Sequence, residues 1–184
     1  PPDPTTTSVW TPCYSSPRTA RDRFLSPPLP LSLPLPQSIP HPIVFSPGMR
    51  ENPIPADHRF PMRKNAMLFD FLSARNLTTR HFIPDHPDVD TLCLAHDRAY
   101  VTQFLDGTLP PAMMRRVGLP WTEPLVRRTT IGVGAALMAV RLAMQFGIAT
   151  MCSGGTHHAG PDFGGGWCIL NDFAVAARAI QVRK

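Results

Sequence analysis

Proline sets the first limit on this chain. Of its 23 prolines, 13 fall within the first 47 residues, and that stretch holds no glycine. Proline removes a backbone donor and fixes φ, so so dense a run excludes regular helices and central strands. The segment 1–42 reads as a proline-rich leader or linker, with PxxP-like docking as one use. It is rich in Ser, Thr and Arg, and Asp3 and Asp22 are its only acids, a composition compatible with a transit peptide. Residues 43–184 are then the folded unit, long enough to bury a real core.

Bulk composition removes several function classes. Apolar residues make up 43% and charged residues 17%, which is too apolar and too weakly charged for a disordered chain. No continuous run of about 18 apolar residues is present, so no membrane-spanning helix is expected. Cys13, Cys93, Cys152 and Cys168 form no CxxC pair, and no secretory apolar stretch accompanies them. Reduced thiols in an intracellular setting are expected: nucleus or cytoplasm, or plastid or mitochondrion if the leader is a transit peptide. The net charge of +5 is carried almost entirely by arginine, since Lys64 and Lys184 are the only lysines. Arg115, Arg116, Arg127 and Arg128 alternate with apolar residues and prolines, not with stacking aromatics, so no direct nucleic-acid partner is expected.

Beyond the leader, strand and helix signals alternate. Pro42 to Pro47 reads as a short first strand, and residues 63–76 as a helix with Met62, Ala66, Phe69 and Leu72 along one stripe. Thr79 to Pro84 reads as a second strand. Asp88 to Asp106 reads as two helical pieces, with Asp97 as an N-cap and Gly107 as the stop. Pro124 to Phe146 is the longest helical pattern, ended by Gly147, with Gly132 and Gly134 as small residues for close packing. Ile148 to Cys152 then forms an apolar strand of the buried, parallel type. A last helix is capped by Asn171 or Asp172 and turns Phe173, Ala176, Ala177 and Ile180 inward. This alternation argues for an α/β fold with a parallel sheet.

The chemistry-bearing segment is Ser153 to Cys168, which holds six of the chain's 12 glycines. It follows the apolar strand directly, the place where open α/β sheets bind ligands. Its glycines permit positive φ and close backbone approach. His157 and His158 sit in its middle, and on an irregular loop two adjacent imidazoles can be aimed at one small volume. They could divide base and acid duties, could ligate a metal, or could be a bland exposed pair. The glycines and the following Trp167-Cys168 favour a functional reading.

At these residues the chain resembles the zinc-dependent histone deacetylase family. The matching motifs are Gly154-Gly155-Thr156-His157-His158-Ala159, Gly166-Trp167-Cys168, Asn171-Asp172, Asp57-His58-Arg59-Phe60-Pro61-Met62, His96-Asp97-Arg98-Ala99-Tyr100 and Arg115 to Trp121. They are similar to the smaller class IV-like and bacterial or plant branch, and run from about Ile43 to Val182. The resemblance implies a three-layer arginase/deacetylase-type α/β fold with a central parallel sheet, cut after the tandem-histidine loop and the next helix. It implies hydrolysis of acetyl-lysine in histones or other proteins by a zinc-bound water. His157 and His158 match the tandem pair that handles protons; Gly166 and Trp167 match the tunnel wall around the acetyl-lysine stem. Trp167 replaces the phenylalanine usual in the family, and Gly165 a charged or polar residue.

The resemblance also sets out what is missing. The family's zinc ligands, an Asp, a His and a second Asp, lie downstream of the tandem histidines, and no Asp-x-His segment follows them here. Tyr14 and Tyr100 lie upstream and match no carbonyl-polarising tyrosine. His41, His58, His81, His86 and His96 are scattered, with His58 and His96 expected to be structural; Cys168 is expected to be a packed thiol. No zinc ligand is assigned in this chain, so it is expected to be inactive alone, with an exposed sheet edge. Zinc is expected only for the complete family domain. Three functions follow: the N-terminal part of a deacetylase, a truncated non-catalytic binding module, or an unrelated metal-independent protein with an incidental His-His loop.

Overall fold

The computed structural model describes residues 41–78 and 80–182. The leader reading, along with Tyr14 and Cys13, lies outside the described residues apart from His41 and Pro42.

Three short parallel strands form the sheet: β1 (Ile43–Val44), β2 (His81–Phe82) and β3 (Thr150–Met151), in the order β2-β1-β3. Ile43 faces His81 and Thr150 across the ladder, and Val44 faces Phe82 and Met151. Backbone bonds from Ile43, Phe45, Thr150 and Cys152 extend the pairing by a residue at each end. Strand β1 is central, and its period of two feeds two different clusters. Ile43 and Phe45 pack with Met49, Ala66, Ile131 and Cys152, and Phe45 stacks on Phe69 at 4.1 Å. Val44 packs with Ala135 and Leu142. A strand buried on both faces reads as continuous apolar sequence, which is why Ile43-Val44-Phe45 stands out.

The helices are α1 (Lys64–Ser73), α2 (Val89–Leu92), α3 (Arg98–Asp106), α4 (Pro111–Val117), α5 (Glu123–Phe146) and α6 (Asp172–Gln181). A 3-10 turn, Pro47–Arg50, follows β1. Helix α5 is the mast of the molecule and packs against α6, β1, β3 and the 3-10 turn. Thr122 caps it by accepting from the Leu125 amide, with Pro124 in its first turn. Gly134 is required by packing: a Cβ there would lie 2.0 Å from the Asp85 carbonyl oxygen. The main core joins Leu92, Val101, Phe104, Val133, Leu170 and Val175, all buried between α2, α3, α5, α6 and the segment before α6.

Four expectations are corrected. Helix α4 runs into the start of the Arg115 to Trp121 motif and is not expected from the sequence, because its flanking prolines disguise it; Pro111 occupies the tolerated first turn. The inward face of α6 is Asp172, Val175 and Ala176, whereas Phe173 is 52% exposed and Ala177 is also outside. Strand β3 is an edge of the described sheet rather than a fully buried strand: Thr150 is exposed and Ile148, just before it, is 62% exposed. Finally, α5 is by length and composition apolar enough to cross a membrane, since its Gly, Ala and Thr residues dilute the charge. Its packing here is that of a core helix, with Leu125, Ile131, Val133 and Leu142 buried.

Candidate functional site

Strand β3 ends in Ser153-Gly154-Gly155, and the chain turns there at φ 94° for Gly154 and 86° for Gly155. The turn is enforced from below by Asp172, the first residue of α6, which is 1% exposed. One carboxylate oxygen accepts from the Gly155 amide at 2.9 Å. The other accepts from the Thr156 amide at 2.9 Å and the Thr156 hydroxyl at 2.7 Å. The same oxygen accepts from the Phe173 amide, so the charge also sits at the N-terminus of its own helix, where it is favoured. In return the Asp172 amide donates to the Thr156 hydroxyl oxygen. Gly154 has no alternative, because a Cβ would lie 2.2 Å from Met151 and 2.4 Å from the Asp172 carboxylate.

A second anchor holds the far side of the loop. His96, 2% exposed, accepts from the Asn171 amide through Nε2 at 2.8 Å. That leaves its Nδ1–H to face the Pro161 carbonyl at 3.3 Å, so the ring is a fixed neutral tautomer. Burial pushes its pKa down, against smaller opposing effects of the Pro161 and Gly160 backbone and of Asp97. The Asp97 amide also donates to Pro161, at 2.9 Å. Asp97 therefore begins α3 without a side-chain cap bond, while its backbone holds the loop. Asn171 caps α6 through the Ala174 amide and donates to the Ala159 carbonyl. Tyr100 donates to the Ile169 carbonyl at 2.8 Å, and burial raises its pKa, with Asp162 adding to the shift.

On this base stand the two imidazoles. His157 and His158 are exposed, with ring centroids 4.3 Å apart and planes 35° from parallel. His157 donates Nδ1–H to the Gly155 carbonyl at 2.9 Å, which leaves Nε2 as the basic nitrogen. Gly166 lies against His158: a Cβ at Gly166 would be 3.5 Å from its ring. Trp167, 38% exposed and at φ 66°, donates its amide to Val117 at 2.8 Å. The indole lies over Gly118 and tilts against Phe60 at 5.3 Å. His58 holds that corner, donating Nε2–H to the Gly118 carbonyl and accepting the Phe60 amide at Nδ1. Arg128, buried in α5, donates to the carbonyls of Met49, Glu51 and Met62 and so seats the same corner on the core. Burial lowers its pKa, with Glu51 opposing.

The tandem histidines and the Gly166-Trp167 segment are thus neighbours, as their shared loop suggested. His58 and His96 are structural, each through two hydrogen bonds. Cys168 is a packed, buried thiol whose pKa is raised chiefly by burial, with the His158 backbone amide opposing. Phe60, Gly118 and the loop-anchoring role of Asp172 were missed. The sequence offers Asp172 as a helix cap and as part of the Asn171-Asp172 motif, and its contacts to residues 155 and 156 leave no trace in periodicity. Beneath the wall lies a cavity of about 90 Å³, lined by Met49, Lys64, Arg128, Gly154, Trp167 and Asp172 among others. Among the described residues no three His, Cys, Asp or Glu side chains converge to hold a metal ion. The described part of the chain does not fit a zinc centre by itself.

Comparison with known proteins places these features. A family model described as histone deacetylase domain matches residues 58–184. An uncharacterized protein of Picosynechococcus sp. is 43% identical over 144 residues, which are 77% of this chain and 48% of that protein. The chain therefore spans about half the length of this curated relative. Among solved structures, a histone deacetylase homolog from Aquifex aeolicus aligns over 77% of this chain and 41% of its own, with TM-score 0.63 and 18% identity. The HDA15 HD domain aligns over 77% and 43%, with TM-score 0.60 and 16% identity. These structural likenesses show the fold, a parallel sheet flanked by helices of the arginase/deacetylase type. With the family model covering more than half its length, the chain belongs to the histone deacetylase domain family.

Proposed function

We propose that this chain carries the proton-handling loop and the aromatic substrate wall of an acyl-lysine amide hydrolase. The observation that carries the reading is the pair of imidazoles, 4.3 Å apart, seated beside Gly166 and Trp167 on a loop pinned by a buried carboxylate. His157 Nε2 is the atom to accept a proton from an attacking water, and His158 the second imidazole to return one to the leaving lysine amine. Trp167, Gly166 and Phe60 grip the apolar stem of the acyl-lysine. Zinc chemistry in such a hydrolase is a Lewis-acid activation of water, and it would need ligands from outside the described residues. Histone and non-histone acetyl-lysine polypeptides are the candidate substrates.

The test measures zinc content and acetyl-lysine peptide hydrolysis for the 184-residue chain and for the complete product of its gene. Turnover by the complete product that His157→Ala or His158→Ala reduces by about a hundredfold or more supports the reading. Turnover indifferent to both substitutions rejects it. A second reading, a non-catalytic module that binds acyl-lysine or a partner, is favoured by the lack of an ion-holding trio among the described residues. Stoichiometric zinc and His157-dependent turnover by the 184-residue chain alone would reject that one.

A further inference from the structure

The mouth of the site is built from three segments, 57–64, 115–118 and 154–167, and their exposed charge is one-sided. They carry Arg59, Arg63, Lys64, Arg115 and Arg116 against the exposed acids Asp57 and Asp162. The five cations have no ion-pair partner among the described residues.

Two of them sit directly on the aromatic wall. The Lys64 ammonium lies 4.8 Å from the centre of the Phe60 ring, and Phe60 in turn packs on Trp167. The Arg116 guanidinium lies over Phe163 at 4.2 Å, and its Nε is 3.8 Å from where a Cβ of Gly165 would stand, just before Gly166 and Trp167. Both are held by ring faces, which orient a cation without neutralising it. The buried Asp172 forms no ion pair with either cation, and its oxygens are directed at the 155–156 amides, the Thr156 hydroxyl and the start of α6. An aromatic slot with two fixed, unneutralised cations at its lip favours polypeptide carrying carboxylates on either side of the inserted side chain. It repels a lysine- and arginine-rich tail.

We propose that the preferred substrate of this site is an acyl-lysine flanked by Asp or Glu, with Lys64 and Arg116 as the specificity-determining residues. This rests on the acyl-lysine reading above, and sharpens it to acidic polypeptide rather than basic histone tail.

The experiment uses the full-length protein and three fluorescent acetyl-lysine peptides of equal length, with acidic, neutral or basic flanks. Binding is read by anisotropy and hydrolysis by lysine release. The acid-flanked peptide is expected to bind about fivefold more tightly than the neutral one, the gain of two partly exposed ion pairs. The advantage shrinks as salt rises from about 0.05 M to about 0.5 M. Arg116→Gln removes part of the preference, and Arg116→Glu reverses its sign. Should Arg116→Glu fail to fold, Lys64→Gln and the salt series on the native protein carry the same test. Equal affinity for all three peptides, or tighter binding of the basic one, overturns the proposal. Charge preference in binding without hydrolysis of any peptide sinks the hydrolase reading and leaves this one standing. Hydrolysis without charge preference does the reverse.

Discussion

The underside and the rim of the tandem-histidine loop obey opposite rules. Below, Asp172, Thr156, His96 and Asn171 are interlocked by hydrogen bonds, and the two anchors Asp172 and His96 are almost fully buried. Above, His157 and His158 are exposed, with their rings against each other, His157 bonded to Gly155 and His158 beside Gly166. The difference teaches where the loop's shape is held: in the buried groups below, not in the exposed imidazoles above. The imidazoles can therefore be changed with little effect on the fold, and the anchors cannot.

That contrast can be broken in order of expected effect. Asp172→Ala leaves the half-buried Gly155 and Thr156 amides without their partner and should cost about 2 kcal/mol or more in urea unfolding. A loss near zero would mean that the loop is held by something else. Gly154→Ala forces a Cβ into Met151 and the Asp172 carboxylate at φ 94°, for about 2 kcal/mol by the same measurement.

His96 supplies a pH test of the underside. Its folded pKa is depressed below 6.5, so the unfolded chain takes up a proton first as pH falls. Stability from this group is thus intact above about pH 6.5 and is lost as pH drops from there toward the folded pKa, by at most about 1.4 kcal/mol per pH unit. Unfolding curves of a His96→Gln variant should lack that part of the slope; an unchanged slope sinks the assignment. The smallest effect belongs to the rim, where His157→Ala and His158→Ala should each move stability by no more than about 0.5 kcal/mol. A drop of several kcal/mol on either would place the imidazoles with the anchors and erase the distinction.

The same division explains what was legible in sequence. Glycine stops at Gly107 and Gly147, the apolar strand at Ile43 and the span of α5 are local signals, and all appear in the structure as expected. The histidine loop was legible because six glycines and two imidazoles lie within a few residues of each other. The anchors were not, since Asp172 reaches back 16 residues to Thr156 and His96 reaches forward 75 to Asn171. Their side chains bond across the fold, where no periodicity operates. The face of α6 was misjudged for a related reason: Phe173 and Val175 compete for the inside, and only packing against α5 decides for Val175.

Asp172 belongs to a helix and to a loop at once, and this has a consequence for motion. The amides of Gly155 and Thr156 sit in irregular chain, where exchange with solvent hydrogen is ordinarily fast. Here they are held by a carboxylate that is itself buried and anchored at the start of α6. Loop and helix then open as one cooperative unit, and the two loop amides inherit the protection of the helix. Any contact that steadies α6, including one on its exposed Phe173, is felt as reduced wandering of the imidazoles.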